Sequence, residues 1–293
     1  MAVPHDLTDL NRHELLDWAD RELRDLPWRR TRDPWAVLVS EVMAQQTGVD
    51  RVVPYYERFL ARLPDPATCA AAPTSAVLWL WSGLGYNRRA VSLHRCATAI
   101  VADHGGQVPD DLDALLRLPG IGPYTARAVL AFAFERPVGV VDTNVGRVLA
   151  RWAGRPLPVA EAQALADELV PPGRPWLWNQ AVMELGATVC RRRGPDCTRC
   201  PITAGCAWSA AGMPSPDPAD GSAGVSRAQS RFEGSDRQGR GRLVAALRHG
   251  PVALDDLAEV MGWPDDVERA QLVAKGVVAD GLADHDGGSF RLP

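Results

Sequence analysis

Six side chains in this chain combine reactive types with a spacing that implies chemistry. Cys190, Cys197, Cys200 and Cys206 share one short stretch, in the pattern C-x6-C-x2-C-x5-C. Four thiolates closing on one point can hold a single inorganic centre, and a [4Fe–4S] cluster takes four cysteine ligands. Structural zinc also uses four cysteines, usually as two close CxxC-type pairs. Here only Cys197 and Cys200 form such a pair, so the spacing favours a cluster over zinc, with two disulfides as a third reading. The other two side chains are carboxylates. Asp142 directly follows the apolar pair Val140-Val141, where a carboxylate can be partly desolvated. It also suits the N-cap of a helix from Val145 to Trp152, and the two roles are compatible. Glu41 stands in an otherwise apolar helical stretch, and by pattern alone it reads as a solvent-facing helix residue. Two carboxylates in different surroundings, one a protonated acid and one an anion, suit the cleavage of a glycosidic bond.

Between them lies Leu118-Pro119-Gly120-Ile121-Gly122-Pro123-Tyr124-Thr125-Ala126. Gly120 and Gly122 permit a tight turn that opens directly into a helix. The free backbone N–H groups at the start of that helix suit a phosphate oxygen. The segment reads as a helix-hairpin-helix that grips DNA backbone, with an ordinary helix–helix turn as the alternative.

The elements that must position these groups are mainly helical. Apolar residues recur at three- and four-residue spacing over Asp9 to Leu23, Pro34 to Phe59, Ser75 to Leu80, Arg88 to Asp103 and Asp111 to Leu116. From about Ser209 to Gln238 the composition turns to Gly, Pro, Ser, Ala and Asp, which predicts a flexible linker. A small domain follows from about Gly239, with helices near Leu243–Leu247 and Leu254–Met261 and strand-like segments around Leu282 and Phe290. Its final stretch fits the wing of a winged helix. Apolar content of 46% and charged content of 23% are those of a globular protein, long enough at 293 residues for about two domains. No apolar run approaches a membrane span, and the N-terminus has no secretory-signal pattern. Cys69 and Cys96 read as small buried apolar residues. A net charge of −4 counts modestly against nucleic acid as partner. The distribution counts the other way, because Arg191, Arg192, Arg193 and Arg199 crowd the cysteines.

The ordered set of motifs resembles one family over roughly residues 10 to 208. It runs Leu26-Pro27-Trp28-Arg29, Ser40-Glu41-Val42-Met43-x-Gln45-Gln46-Thr47, and Gly83-Leu84-Gly85-Tyr86-x-x-Arg89-Ala90. The hairpin follows, then Val141-Asp142-x-Asn144-Val145-x-Arg147-Val148, Glu184-Leu185-Gly186-Ala187 and the four cysteines. This is similar to the MutY adenine DNA glycosylases of the helix-hairpin-helix, iron–sulfur superfamily.

The resemblance implies a two-lobed, mainly α fold. A six-helix lobe would occupy about 32–138. An iron–sulfur lobe would combine about 1–31 with 139–208, followed by linker 209–238 and a winged-helix-like domain, 239–293. It implies a monomeric, cytoplasmic, nucleoid-associated enzyme that binds mismatched double-stranded DNA and flips out adenine opposite 8-oxoguanine or guanine. Glu41 would be the general acid and Asp142 the stabiliser of the oxocarbenium-like sugar, with Tyr124 and Asn144 supporting them. Gln46 and Tyr86 would wedge into the duplex. Arg24, Trp28, Arg29, Val49 and Glu184 would line the base pocket, although core packing is the plain alternative for Trp28 and Val49. Gly120, Gly122 and Thr125 would belong to the DNA-gripping hairpin. Cys190, Cys197, Cys200 and Cys206 would ligate a [4Fe–4S] cluster and so shape the arginine-rich loop.

Three features refine this. The endonuclease III branch carries a nucleophilic lysine two residues after the second hairpin glycine. Here that position is Tyr124, and the one lysine, Lys275, lies far along the chain, so lyase activity is not expected. Ala44 replaces the leucine usual in the Met-Leu-Gln-Gln segment. The part after the linker is too short for the family's usual Nudix-like reader of 8-oxoguanine. A glycosylase for another base and a non-catalytic DNA-binding relative are the alternatives.

Overall fold

The computed structural model describes residues 5–223 and 231–293. In chain order its helices are α1 (His5–Glu22), α2 (Pro34–Ala44), α3 (Val49–Arg62), α4 (Pro66–Ala71), α5 (Thr74–Leu80), α6 (Arg88–His104), α7 (Leu112–Arg117), α8 (Pro123–Phe132), α9 (Thr143–Ala153), α10 (Val159–Leu169), α11 (Pro175–Thr188), α12 (Ala207–Ala210), α13 (Asp236–Leu247), α14 (Leu257–Met261) and α15 (Val267–Ala279). The three short strands are β1 (Val252–Ala253), β2 (Asp284–His285) and β3 (Ser289–Arg291). The mainly helical reading of the sequence therefore holds. Among the described residues no helix is long and apolar enough to cross a membrane.

The chain forms two units. One is Met1–Pro34 with Gly122–Arg227, and the other is Trp35–Ile121 with Ala228–Pro293. The division falls at the hairpin, earlier than the lobe boundary expected near 138, because α8 packs on α11 in the first unit.

In the first unit α9 and α11 pack against each other, and α1 lies on α11. Their shared core includes Leu15, Trp18, Leu149, Trp178, Ala181 and Leu185, with Cys190, Cys200 and Cys206 against it. At Gly186 the backbone of α11 runs so close to α9 that a Cβ would lie 2.8 Å from the Asn144 carbonyl oxygen. Part of the stretch expected as a flexible linker packs here. Ala223 is in the core, and its N–H donates to the Leu157 carbonyl at 2.8 Å. The Leu157 N–H donates to Ser222 Oγ at 3.1 Å. The rest of that expected linker, from 224 to 230, lies outside the described residues.

In the second unit α2 is buried along its whole length from Trp35 to Met43, and α4 packs on α6. The helix expected from Pro34 to Phe59 is two helices, broken at residues 45–48, where Gln46 takes a positive φ of 55°. The C-terminal domain belongs to this unit. Its order is helix–strand–helix–helix–strand–strand, with an antiparallel sheet in the order β1-β3-β2. Val252 pairs with Phe290, and Asp284 with Arg291. The two strand-like segments expected around Leu282 and Phe290 are present as the antiparallel pair β2 and β3. The sequence pattern had missed α15 and the strand β1.

Candidate active site and cysteine cluster

Asp142 caps α9, its carboxylate accepting the Val145 N–H at 2.7 Å, so the capping role and a fixed carboxylate coincide. The other oxygen accepts Asn144 Nδ2 at 3.0 Å. Burial pushes the Asp142 carboxyl up, against the pull of these hydrogen bonds and of the Arg147 charge, and the net shift is upward. Tyr124 is half-buried in the first turn of α8.

The same unit holds four of the expected base-pocket residues and joins three of them by hydrogen bonds. Glu184 on α11 is 0% exposed. Arg24 Nε and Nη2 donate to its two oxygens at 2.5 and 3.1 Å, and Arg29 Nη2 donates to Oε2 at 2.8 Å. Arg29 Nε also donates to Gln180 Oε1 at 2.7 Å. Burial pushes the Glu184 carboxyl up, but the two arginines outweigh it and hold it below the usual range. Trp28 lies in the 3-10 turn Pro27–Arg29, which contributes no buried residue.

Glu41, Gln46, Val49 and Tyr86 belong to the second unit. Glu41 is only 7% exposed. The solvent-facing reading of its pattern is thus corrected: α2 is covered on every side, so an isolated glutamate in an apolar run lies in the core. Gln46 and Tyr86 both sit in loops at positive φ, 55° and 48°, and Tyr86 is 41% exposed. Arg89 ties the two loops together. Its Nη1 donates to the carbonyls of Val42, Met43 and Gln45 at 2.9, 2.9 and 2.5 Å, and its Nη2 donates to Thr47 Oγ1 at 3.1 Å and Gly85 O at 3.3 Å. Val49 opens α3 half-buried, and neither it nor Trp28 is a buried core residue. At the hairpin Gly120 has φ 77°, and a Cβ there would meet Ser92 Cβ at 2.7 Å. Gly122 is the N-cap of α8. Thr125 is buried.

The four cysteines line one pocket, with Arg151, Val189 and Trp208 among its other walls. Among the described residues no three metal-binding side chains form a group that could hold a metal ion. Burial pushes the Cys200 thiol up to about 12. Arg151, its side chain 2% exposed, donates Nη1 to Cys190 Sγ at 3.4 Å and Nη2 to Asp217 Oδ2 at 2.6 Å. Its guanidinium lies over the Trp208 ring, 4.7 Å from the centroid.

Residues 39–172 match the family described as HhH-GPD superfamily base excision DNA repair protein. The chain is 42% identical over 303 aligned positions to the adenine DNA glycosylase of Mycobacterium tuberculosis, covering 99% of this chain and 95% of that protein. It is 41% identical to the adenine DNA glycosylase of Mycolicibacterium smegmatis, covering 95% of this chain and 94% of that protein. The structure of a thermostable thymine-DNA glycosylase superposes with a TM-score of 0.68 at 30% identity, covering 72% of this chain and all of that one.

The chain belongs to the adenine DNA glycosylase family of the HhH-GPD superfamily. It is therefore a base-excision DNA repair glycosylase, a hydrolase of N-glycosyl bonds. Three residues absent from the sequence expectations are prominent in this glycosylase: Arg89, Arg151 and Asp217. Arg89 carried a signal, since it lies within the Gly83–Ala90 motif. Arg151 recurs one helical turn after Arg147. Asp217 carried none, because it lies in what reads as linker.

Proposed function

We propose that this glycosylase hydrolyses the N-glycosidic bond of adenine mispaired with 8-oxoguanine or guanine, without forming a Schiff base. The carrying observation is the pair of carboxyl groups in unlike surroundings: Glu41 buried within an apolar helix, and Asp142 capping α9 under hydrogen bonds from Val145 and Asn144. A duplex must surrender the base before either can act, so the adenine is flipped out. Glu41, as the carboxylic acid, gives its proton to a ring nitrogen of the adenine. The C1′–N9 bond then breaks with its electron pair leaving on the base. The Asp142 carboxylate stabilises the cationic sugar, and water adds to C1′ with loss of a proton. Asn144 orients Asp142, and Tyr124 supports the pair. Arg24, Arg29, Glu184, Trp28 and Val49 surround the base, and Gln46 and Tyr86 fill the gap in the stack. Gly120, Gly122 and Thr125 shape a hairpin that holds phosphate on backbone N–H groups.

Cys190, Cys197, Cys200 and Cys206 would hold a [4Fe–4S] cluster. Four soft sulfur donors around one pocket, beside a buried arginine cation that offsets anionic charge, support that assignment. The cluster's part is to fold the loop so that Arg191, Arg192, Arg193 and Arg199 face phosphates. Cys197→Ser should then lose bound iron and acid-labile sulfide, and should weaken DNA affinity before it alters the chemical step.

Single-turnover base release on duplexes with adenine opposite 8-oxoguanine, guanine and thymine tests the substrate. Residues 239–293 are too few to form a Nudix-like reader, so we expect weak discrimination between 8-oxoguanine and guanine. Release of thymine or an alkylated purine in preference to adenine would overturn the reading. A strong borohydride-trapped adduct would overturn the absence of lyase chemistry.

A further inference from the structure

The C-terminal domain grips both stems of the loop that carries Tyr86. Helix α5 ends at Leu80, the loop spans 81–87, and α6 begins at Arg88. On the α5 side, Arg248 at the end of α13 donates Nη2 to the Leu78 carbonyl at 3.2 Å. The neighbouring His249 meets Trp79 edge-on, with ring centroids 6.4 Å apart. On the α6 side, Asp280 at the end of α15 lies 3.4 Å from Arg88 Nε and also pairs with Arg240. Gly281, at φ 72°, passes so close to α6 that a Cβ would lie 2.7 Å from Arg95 Nη2.

Helix electrostatics explain why these contacts hold. The last carbonyls of α5 lack partners within the helix and form the negative end of its dipole, which favours a cation there. Arg248 supplies one at Leu78, and Arg58 another, its Nη2 donating to the Leu80 carbonyl at 2.9 Å. Arg88, by contrast, is the first residue of α6, where the helix end is positive and a cation is disfavoured. Asp280 neutralises it. The loop between needs such support, since a tyrosine at positive φ costs roughly 1–3 kcal/mol and persists only where its surroundings enforce it. Acidic residues outnumber basic ones over residues 231–293, a composition poorly suited to gripping phosphates.

We propose that the C-terminal domain is a brace for loop 81–87, with Arg248 and Asp280 as positioning residues for Tyr86, and not a DNA-reading domain. Its functional consequence rests on the proposed role of Tyr86 in filling the stack. The brace acts by restricting the loop before DNA arrives, which raises the fraction of enzyme able to hold a flipped base.

Hydrogen exchange of the full-length, DNA-free protein tests the brace directly. Arg248→Met should speed exchange over residues 81–87 by about tenfold, and Asp280→Asn and Arg88→Gln by about two- to threefold each, as suits one half-buried contact and one whose arginine is mostly exposed. Combining Asp280→Asn with Arg88→Gln should add nothing to the larger single effect. Arg88 lies outside the C-terminal domain, so its variant cannot act by unfolding that domain. Unchanged exchange in loop 81–87 for these variants, or additive effects of Asp280→Asn and Arg88→Gln, would overturn the brace. Fluorescence of 2-aminopurine in place of the target adenine reads the consequence: extrusion should fall in parallel with loop protection. Tyr86→Ala leaves the brace contacts in place and separates the two readings. If it extrudes the base normally, the role of Tyr86 is wrong and the functional half of the proposal falls, while exchange still decides the brace itself.

Discussion

Arg147 joins Cys190 to Asn144: its Nε donates to the Cys190 carbonyl at 2.7 Å and its Nη2 to Asn144 Oδ1 at 2.8 Å. Asn144 in turn donates to Asp142. The same Nη2 donates to the Gly186 carbonyl at 2.6 Å. One guanidinium therefore spans the start of the cysteine loop, the close approach of α11 and the helix cap that fixes the candidate catalytic carboxylate. The consequence is that the cysteine loop and Asp142 are not mechanically independent.

Arg147→Gln is accordingly expected to harm both. The buried Gly186 carbonyl and the half-buried Cys190 carbonyl lose a charged donor, at about 1–3 kcal/mol each. Chemical denaturation should show a loss of roughly 3 kcal/mol, and iron retention and single-turnover base release should fall together. Normal base release in a variant that loses its iron would show the two regions to be uncoupled.

Asp142→Asn separates chemistry from folding. Asparagine is as good an N-cap as aspartate, so α9 should be retained, while base release should fall by about a hundredfold or more with the anionic stabiliser gone. Burial holds the folded-state pKa of Asp142 above its unfolded value. Its contribution to stability is then present below the unfolded value and lost as pH rises through the folded one. The variant should therefore match or exceed the parent in stability at neutral pH. Activity follows the opposite sense: the parent gains rate as pH rises through the raised pKa of Asp142, and the acid limb of its profile reports that group.

Glu184 has the reverse sign. Arg24 and Arg29 hold its pKa below the unfolded value, so its stabilisation is full above the unfolded value and is lost as pH falls through the folded one. Glu184→Gln leaves two guanidiniums without their anion. Allowing for the partial exposure of Arg24, the cost should be about 2–3 kcal/mol at neutral pH. The difference between parent and variant should shrink in acid, as read by urea midpoints across pH.

Gly120→Ala probes the hairpin. A left-handed φ of 77° and a Cβ 2.7 Å from that of Ser92 both penalise a side chain. The variant should lose about 1–2 kcal/mol of stability. It should also bind undamaged duplex more weakly. Parent-like affinity would argue that the hairpin does not touch DNA.

Much of this protein was determined along the chain. Local geometry decides whether a glycine pair can turn into a helix, whether an aspartate can cap one, and whether four cysteines are spaced for one centre. Those features were legible as motifs, and the helices of the catalytic part followed from apolar periodicity. What needed the tertiary structure were environments made by residues distant in sequence. Glu41 reads as exposed because a single helix shows only its own faces, and burial is decided by what packs around it. Asp217 carries no signal in a Gly- and Pro-rich stretch, yet it neutralises the buried Arg151 beside the cysteines. The grip of Arg248 and Asp280 on loop 81–87 was equally invisible, because the periodicity of a C-terminal domain does not reveal which distant helix ends its charges will meet.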